Sequence, residues 1–534
     1  MAKKRKPLNE RQKKWIERTV KRNRSYKALL YNRFFLYLIL VLLQLAFSFF
    51  WVCMFVYNSK WGIIAQAVIS VCAVITVLYL INKNDRPSLK LNWILLILVF
   101  PVFGVPAYLM YGEGRPTWSM NQKILQAKGD NARQLQELYG EPKLKEPEKR
   151  NEAIELYLSK YADYPVYTSG ELSYYKSGEE MFPFMLEEMK KAEKYILLEY
   201  FIIDHGKMWE EMLKVLLEKA SQGVQIRIIY DDFGCMMTLP PNYERYLESL
   251  HENIRCMTFN TIVPLFAVRM NNRDHKKILV VDGKVAFTGG INIADEYIAE
   301  KRRYGYWKDT GLCVRGEAVR SFVQMFFYMW NAFRDDKEEL KDFPVITEKT
   351  GEEGIRIQPY DDSPFDKISV GEAVYLDMIH RSVKYVWIFT PYLLLDDSLR
   401  QALCQAAARG VDVRIVTPGI PDKKMVYRLT RANYAILMEA GVKIYEYTPG
   451  FIHAKSMLCD GESAVVGTIN LDYRSLYFHF ENAVYFSNCK AVDALKRDCE
   501  ETFALSKLCS PDYPKRGFFG RLIDSVLRVF ETWL

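Results

Sequence analysis

A short motif occurs twice in this chain of 534 residues, and the duplication constrains its fold more than any other feature. Each copy reads His-x-Lys, four residues, Asp, six residues, a small pair, one residue, Asn. The copies are His275, Lys277, Asp282, Gly289, Gly290 and Asn292, then His453, Lys455, Asp460, Gly467, Thr468 and Asn470. The chain has only 6 histidines, so packing requirements alone rarely place two of them in such agreement. The pattern therefore predicts two related halves with the same chemistry.

The segments around the two motifs repeat as well. A strand, a helix and a second strand are predicted at Tyr195–Ile203, Met208–Ala220 and Val224–Tyr230, and again at Tyr385–Thr390, Leu399–Ala408 and Val411–Val416. A glycine follows the helix in each half, which is a common signal for a helix end. We therefore predict an α/β fold in which two pseudo-repeated halves, 156–345 and 356–510, pack around one site. A polar linker, 346–355, joins them.

Two uncharged stretches near the N-terminus, 34–57 and 61–82, are each long enough to cross a bilayer. Only three residues separate them, which predicts a tight transmembrane hairpin. The preceding tail, 1–33, holds 13 Lys and Arg against 2 Glu, and this charge places the N-terminus in the cytoplasm. The alternatives are two buried core helices or a signal peptide. The length and lack of charge disfavour the first, and no small-residue cleavage site follows the polar leader.

A third apolar stretch, 92–111, carries Pro101, Gly104 and Pro106, which interrupt a simple helix. The stretch either spans the bilayer, which puts the rest of the chain outside, or dips in and returns, which leaves the rest in the cytoplasm. We favour the second, because of these helix breakers and because the 10 scattered cysteines form no CxxC pair and are typical of reduced thiols. The following residues, 113–155, are predicted to form a polar linker with some helix.

The end of the chain, 511–534, contains an apolar and a charged face at helical spacing over Phe518–Leu534. This pattern predicts an amphipathic helix. It fits equally a helix on the bilayer surface and an ordinary helix that caps the core.

The charge distribution disfavours a nucleic-acid partner. The formal net charge of the chain is +8, but the tail contributes +11, so the remainder carries a net charge of −3. A domain that binds nucleic acid carries its basic excess on the folded part. We therefore predict no nucleic-acid partner, and the sequence assigns no oligomeric state.

Side chains two residues apart on a strand share a face, so each His-x-Lys places an imidazole and an ammonium in the same space. One neutral imidazole can attack an electrophile while a second, protonated imidazole gives a proton to the leaving group. The two lysines, with Asn292 and Asn470, supply positive charge and N–H donors for an anion between them. A phosphodiester that reacts through a phosphohistidine fits this set. We predict no metal or cofactor, because no third or fourth ligand lies at usable spacing.

Each motif continues into Asp-Gly between apolar runs, at Asp282 and at Asp460. Asp-Gly in this setting is a strong hairpin signal. The residues themselves therefore favour a turn-shaping role for both aspartates over a catalytic one.

The motif resembles the HKD signature of the phospholipase D superfamily, and both copies match it throughout. The flanking residues, 289–297 with 306–310 and 467–475 with 480–482, resemble the bacterial cardiolipin synthase branch, as does the double apolar N-terminus. The resemblance extends from about residue 34 to residue 510. It implies a catalytic set made of the motif residues, namely His275, Lys277, Asp282, His453, Lys455 and Asp460.

The resemblance also implies individual roles. His275 is the nucleophile, and His453 is the acid that later acts as a base. The phosphate-binding residues are Lys277, Asn292, Lys455 and Asn470. Asp309, downstream of His275, and Glu481, downstream of His453, match the family's acids that hold the second ring nitrogen of a histidine.

The reaction that the resemblance implies is phosphatidyl transfer between two phosphatidylglycerol molecules, which gives cardiolipin and glycerol at a bacterial cell membrane. The partners are then these lipids and the bilayer. The same site also suits a phospholipase D-type hydrolase or another phosphatidyltransferase, and less well a nuclease or phosphodiesterase. A membrane scaffold with an inactive site is disfavoured because both copies keep His, Lys and Asn.

Overall fold

The computed structural model describes residues 61–84, 86–101, 115–140, 150–261, 272–345, 351–366, 369–510 and 517–529, with single positions between and beyond these ranges. The strands are β1 Tyr167–Tyr175, β2 Tyr195–Tyr200, β3 Gln225–Asp231, β4 Ile254–Phe259, β5 Lys277–Val281, β6 Val285–Gly289, β7 Tyr306–Lys308, β8 Gly311–Arg315, β9 Glu352–Asp362, β10 Tyr385–Phe389, β11 Asp412–Pro418, β12 Lys443–Tyr447, β13 Gly450–Ile452, β14 Ser456–Cys459, β15 Ser463–Gly467, β16 Glu481–Ser487 and β17 Ser506–Leu508. The helices are α1 Trp61–Asn82, α2 Pro87–Val99, α3 Arg115–Tyr139, α4 Ala153–Tyr161, α5 Gly178–Lys191, α6 Lys207–Ser221, α7 Asp232–Cys235, α8 Tyr243–Leu250, α9 Val319–Phe333, α10 Val370–Arg381, α11 Asp397–Ala408, α12 Lys424–Glu439, α13 Tyr473–Tyr477, α14 Lys490–Ala504 and α15 Phe518–Val529.

Most of the described strands form one sheet whose order repeats about its centre. On one side the order is β1-β8-β6-β5-β2-β3-β4, and on the other it is β9-β16-β15-β14-β10-β11-β12, with β17 added at the edge. The two sides meet at the antiparallel pair β1 and β9, where Tyr167 lies opposite Ile357. The prediction of an α/β fold made of two repeated halves is confirmed.

The repeated strand–helix–strand segments are where the sequence places them. In each half the two strands pair in parallel, β2 with β3 and β10 with β11. All six residues of β2 are buried, as expected for a parallel strand covered on both faces by helices. The glycines after the two helices, Gly223 and Gly410, have φ of 92° and 89°. This left-handed backbone is the helix-ending conformation that favours glycine.

The two halves share one hydrophobic core that includes the buried helix α9 and part of α3. Met120, Ile124 and Ala127 of α3 are buried in this core, and Lys128 pairs with Asp361 at 3.4 Å. Within the segment 113–155, predicted to be a polar linker with some helix, α3 therefore places one face in the core. The predicted linker 346–355 extends too far, because β9 already begins at Glu352. Its first part, 346–350, lies outside the described residues.

The Asp-Gly pairs form the predicted hairpin turns between β5 and β6 and between β14 and β15. The φ values at the Asp and Gly positions are 53° and 63° in the first turn and 54° and 73° in the second. Positive φ at both positions is the signature of a type I′ turn. The Asp282 carboxylate also accepts hydrogen bonds from three consecutive backbone amides at the start of β2, those of Glu193, Lys194 and Tyr195, at 2.8, 2.8 and 2.9 Å.

Asp460 repeats this arrangement at the start of β10. It accepts from the amides of Val383, Lys384 and Tyr385 at 2.9, 2.7 and 2.8 Å. Both aspartates therefore tie a hairpin to the neighbouring strand, which is a structural task.

The N-terminal apolar segments form helices that contact each other. The first predicted span, 34–57, lies almost wholly outside the described residues, and the second forms α1. Helix α2 ends at Val99, and Trp93 meets Tyr108 with ring centroids 5.4 Å apart. A continuous helix would separate those residues by about 22 Å, so the third apolar segment folds back on itself. Among the described residues, no helix combines the length and hydropathy that a membrane span requires.

Two terminal elements are attached to the second half. Arg86, before α2, donates to Glu372 at 2.9 Å and to Asp396 at 3.1 Å. The C-terminal helix α15 uses its polar face, because Asp524 pairs with Arg428 of α12 at 2.6 Å. Its apolar residues Phe518 and Phe519 are 68% and 77% exposed. The helix therefore contacts the second half through its polar face and Leu527, while the rings of Phe518 and Phe519 stay exposed.

We expect Asp282→Ala to lower the free energy of unfolding by about 2 kcal/mol, because three backbone donors lose a buried charged acceptor. Asp460→Ala should cost less, since this carboxylate is only partly buried. The midpoint of thermal unfolding of the two variants measures the difference. Equal midpoints for Asp282→Ala and the unmodified protein would contradict the role assigned to this turn.

Candidate active site

The two motif histidines stand at the junction of the halves, each beside backbone of the opposite half. The amide of His275, just before β5, donates to the carbonyl of Phe480 at 2.8 Å. The amide of His453, which follows β13, donates to the carbonyl of Lys308 at 2.7 Å. Strand β13 also pairs in parallel with β7. Each histidine is thus placed by a short ladder that crosses from one half to the other.

The side chain of each motif histidine also contacts a carboxylate of the opposite half. Nδ1 of His275 lies 2.8 Å from Oε2 of Glu481, and Nδ1 of His453 lies 2.6 Å from Oδ2 of Asp309. The expectation that each histidine is held by the acid downstream in its own half is wrong. A carboxylate only accepts, so Nδ1 carries the proton in both rings and Nε2 keeps its lone pair.

The small residues of the two motifs explain why the acids fit. A Cβ on Gly290 would lie 2.0 Å from Oδ1 of Asp309, so only glycine leaves room for that carboxylate. The second copy has Thr468 at the equivalent position, and its hydroxyl donates to Oε2 of Glu481. The two acid–histidine pairs are therefore equivalent in topology but differ in detail.

Both histidines line a single cavity of about 240 Å³, to which Asn292 and Asn470 also contribute. His275 and His453 are each 7% exposed, and Lys277 and Lys455 are each 1% exposed. Nζ of Lys277 donates to the carbonyl of His275 at 2.6 Å, and Nζ of Lys455 lies 2.8 Å from Nδ1 of His453. The structure thus brings both imidazoles and both amides to the wall of one cavity and places the two lysine Nζ atoms against the histidines behind that wall.

Burial is the main influence on the charges in this cavity. Burial lowers the pKa of Lys277 to about 7 and that of Lys455 to about 8, against the opposing effect of nearby carboxylates. Burial and Lys455 lower the pKa of His453 to about 4, and burial and Lys277 hold the pKa of His275 well below its ordinary value. Burial would raise the pKa of Asp309, but Lys455 and His453 outweigh it and hold this pKa below the ordinary value. Near pH 7 both imidazoles are therefore neutral.

The two asparagines are held by the residues five positions further on. Nδ2 of Asn292 donates to the Tyr297 hydroxyl at 2.7 Å, and Nδ2 of Asn470 donates to Oγ of Ser475 at 3.0 Å. An amide nitrogen has two hydrogens, so each asparagine keeps a second donor for a ligand.

Asp282 and Asp460 are not part of this site. Neither lines the cavity, and both carboxylates accept from backbone amides at the hairpin turns. Their assignment to the catalytic set by the motif is therefore corrected, and the turn-shaping interpretation is the one that the contacts support.

Several cavity residues carry functional chemistry to which the sequence analysis assigned no role. Trp307 and Tyr297 contact the ring of His453 with centroids 5.3 and 5.6 Å away, and Arg474 adds a guanidinium to the wall. His479 lies with its ring centroid 5.6 Å from that of His275. Burial lowers the pKa of His479 to about 3, so this third imidazole is also neutral. Only its position two residues before Glu481 could have pointed to it.

One group of side chains has metal-ligand character. His275, His479 and Glu481 each offer a ligand atom, and these atoms lie within 4.8 Å of one another. Residue spacing along the chain does not reveal this group, because its members come from both halves.

Comparisons with known families agree with this geometry. The fold and site define a protein of two fused halves, each supplying one His–Lys pair to a shared cavity. The family described as "Cardiolipin synthase, PLD-like domain" matches residues 185–330 and 375–503, and the family "Phospholipase_D-nuclease N-terminal" matches residues 68–113. The chain belongs to the cardiolipin synthase, phospholipase D-like family.

Individual relatives cover nearly the whole chain. An uncharacterized protein of Streptococcus mutans is 43% identical over 86% of this chain and 99% of its own length. A cardiolipin synthase of Geobacillus kaustophilus is 33% identical over 88% of this chain and 93% of its own length. The crystal structure of a phosphatidylserine synthase from Haemophilus influenzae, 14% identical, superposes with a TM-score of 0.55 over 72% of this chain and 97% of its own length, which shows a shared fold.

We expect the ring resonances of His275 and His453 to show no titration between about pH 5.5 and pH 8, in contrast to an ordinary histidine. Burial next to two lysines keeps both rings neutral in this range. NMR of protein labelled on its histidine rings measures this, with His275→Ala and His453→Ala for assignment. Titration of either ring near its ordinary pKa would contradict the electrostatics described above.

Proposed function

We propose that the protein is a phosphatidyltransferase that converts two molecules of phosphatidylglycerol into cardiolipin and glycerol. The observation that carries the proposal is the pair of imidazoles from opposite halves in one cavity, each with Nδ1 held by a buried carboxylate. That arrangement presents two Nε2 lone pairs to a phosphodiester placed between them. The cardiolipin synthases among the relatives support this choice of substrate.

In the first step Nε2 of His275 attacks the phosphorus of one phosphatidylglycerol. The bond from phosphorus to the glycerol oxygen breaks, and His453 supplies the proton that makes glycerol a neutral leaving group. The lowered pKa keeps His453 neutral near pH 7 before substrate binds. A bound anionic phosphate raises the pKa of this imidazole and so favours its protonated form.

In the second step the terminal hydroxyl of a second phosphatidylglycerol takes the place of glycerol. His453 removes the proton from this hydroxyl, and the oxygen attacks the phosphorus of the phosphatidyl-histidine. The bond from phosphorus to Nε2 of His275 breaks and the free enzyme returns. One phosphodiester replaces another, so the bond energy of the substrate is conserved and the reaction consumes no nucleotide.

The buried cations stabilise the phosphorus centre. Lys277 and Lys455 lie at the base of the two histidines, and burial lowers the pKa of each. An anionic phosphate raises both pKa values again, so substrate binding restores the full positive charge where the transition state carries negative charge. The second donors of Asn292 and Asn470 add hydrogen bonds to the same oxygens.

We propose that the protein works at a membrane through apolar faces beside the cavity. Leu89 of α2 and Leu527 of α15 pack against one cluster that contains Leu394 and Val426, and these last two residues line the cavity. Side chains of α1 such as Val71 and Ile75 are 58% and 61% exposed. Exposed apolar surface of this extent is typical of a membrane or protein contact. The transmembrane hairpin and a cytoplasmic catalytic part stay predictions within this proposal.

We expect the purified protein to form cardiolipin and glycerol from phosphatidylglycerol alone. His275→Ala should lower this rate by a factor on the order of 10⁴ or more, because it removes the nucleophile. The matched control is His380→Ala, an exposed histidine outside the cavity, which should retain full activity. Analysis of the lipid products by mass spectrometry separates cardiolipin from phosphatidic acid, the product of hydrolysis. Phosphatidic acid as the main product, or an active His275→Ala variant, would overturn the proposal.

We also expect Asp309→Asn to lower kcat by about 10²- to 10⁴-fold with little change in KM. The amide cannot hold the His453 ring in the tautomer that the proton transfers require. Asp460→Asn is the matched control, since this aspartate of the motif lies outside the cavity. Steady-state kinetics per folded molecule measure both variants. An unchanged kcat in Asp309→Asn would remove this carboxylate from the mechanism.

The membrane contact can be mapped on the intact chain. A photoactivatable phosphatidylglycerol in vesicles should label the peptide that contains Phe519, because this ring is exposed on α15, the helix whose Leu527 packs against the cavity cluster. Phe184 of α5, which is 49% exposed in the first half, provides the control peptide and should stay unlabelled. Equal labelling of both peptides, read by mass spectrometry, would contradict the assigned membrane face.

A further inference from the structure

The third histidine of the cavity has no hydrogen-bond partner among the described residues. Both ring nitrogens of His479 are buried and unpaired, and its side chain is only 10% exposed. An unsatisfied buried imidazole costs free energy and calls for an explanation in terms of an ion, a water or a function. His479 has no part in the two chemical steps proposed above.

A carboxylate oxygen beside His479 is also unsatisfied. Nδ1 of His479 lies 3.6 Å from Oε1 of Glu481, and Oε1 has no hydrogen-bond partner among the described residues. The other oxygen of this carboxylate, Oε2, accepts from Thr468 and from Nδ1 of His275. Each of the two carboxylate oxygens of Glu481 therefore lies beside one imidazole. Only the contact of Oε2 with His275 is a hydrogen bond.

We infer that His275, His479 and Glu481 form a site for a divalent transition-metal ion, and that an ion bound there switches the enzyme off. This inference rests on the proposed function. Two imidazoles and one carboxylate, with a fourth position left open, are a donor set that Zn²⁺ favours. The ligand atoms of the three residues lie within 4.8 Å of one another, so small side-chain movements bring them to bonding distance. Neutral imidazoles and an ionised carboxylate are the forms that bind metal.

Inhibition follows from the identity of one ligand. If the ion binds Nε2 of His275, it occupies the lone pair that attacks phosphorus. If it binds Nδ1, it displaces the proton from that nitrogen, and the remaining proton position of a neutral ring is Nε2. In both cases the nucleophile is lost, and a chelator that removes the ion restores it. Among the residues that the structure describes, neither His453 nor Asp309 belongs to such a group of three ligands.

The test uses the full-length protein in detergent micelles after treatment with a chelator, with Co²⁺ and Zn²⁺ as probes. Binding is read from the visible absorption of Co²⁺ and from displacement of Co²⁺ by Zn²⁺. We expect one ion per chain, and we expect His479→Asn to weaken binding by more than about tenfold. His380→Asn is the matched control and should bind as the unmodified protein does. A thermal unfolding midpoint confirms that each variant is folded, and His479→Gln replaces His479→Asn if the latter unfolds.

Activity supplies the second measurement. The chelated protein should be active, Zn²⁺ should abolish the activity reversibly, and His479→Asn should raise the half-inhibiting concentration by more than about tenfold relative to its own uninhibited rate. Equal inhibition of His479→Asn and the unmodified protein, or no Co²⁺ binding, would overturn the inferred site. Failure of the proposed function is a separate result, because the chelated protein would then form no cardiolipin while Co²⁺ binding could still be measured.

Discussion

The structure depends on an exchange of carboxylates between its two halves. Each motif histidine is held through Nδ1 by an acid of the opposite half, and the backbone on either side of the contact pairs in the same crossed sense. Neither half contains a complete acid–histidine pair. Both halves are therefore needed to fix the tautomer of either imidazole. The shared core and the central pair of β1 with β9 hold the halves in the register that this exchange needs.

The repeated sequence is more symmetric than the site it forms. On one side, Glu481 accepts from Thr468 and lies beside His479. On the other side, Asp309 packs against Gly290. Nζ of Lys455 lies 2.8 Å from Nδ1 of His453, the ring that Asp309 holds. These differences give the two imidazoles unequal surroundings, which a two-step transfer can use because one ring must form a bond to phosphorus while the other moves protons. The asymmetry also confines the metal-ligand group to the His275 side.

Much of this architecture could be predicted from local sequence patterns. The alternation of strands and helices, the glycines after the helices and the Asp-Gly turns are local signals, and Gly223, Gly410, Asp282 and Asp460 have the expected backbone conformations. Periodicity also identified α15 as a helix with an apolar face. The repeat itself predicted a shared site, and both histidines line one cavity.

The remaining features depend on contacts between segments far apart in the chain, which a local pattern does not contain. The sequence order of His275 and Asp309 suggested a pair within one half, whereas the crossed backbone ladder brings Glu481 to His275 instead. Helix α3 looked like a linker because it is polar overall, and only its narrow face with Met120 and Ile124 enters the core. A single histidine such as His479 resembles an ordinary core residue until its orphan nitrogens and its neighbours are seen together.

A structure of the protein with vanadate tests the central claim most directly, since pentacoordinate vanadate imitates phosphorus during in-line transfer. The account predicts one vanadium atom bonded to Nε2 of His275, with an apical oxygen hydrogen-bonded to Nε2 of His453 and the equatorial oxygens near Lys277 and Lys455. Vanadate held by one histidine with the other imidazole out of reach, or bound elsewhere in the chain, would contradict it.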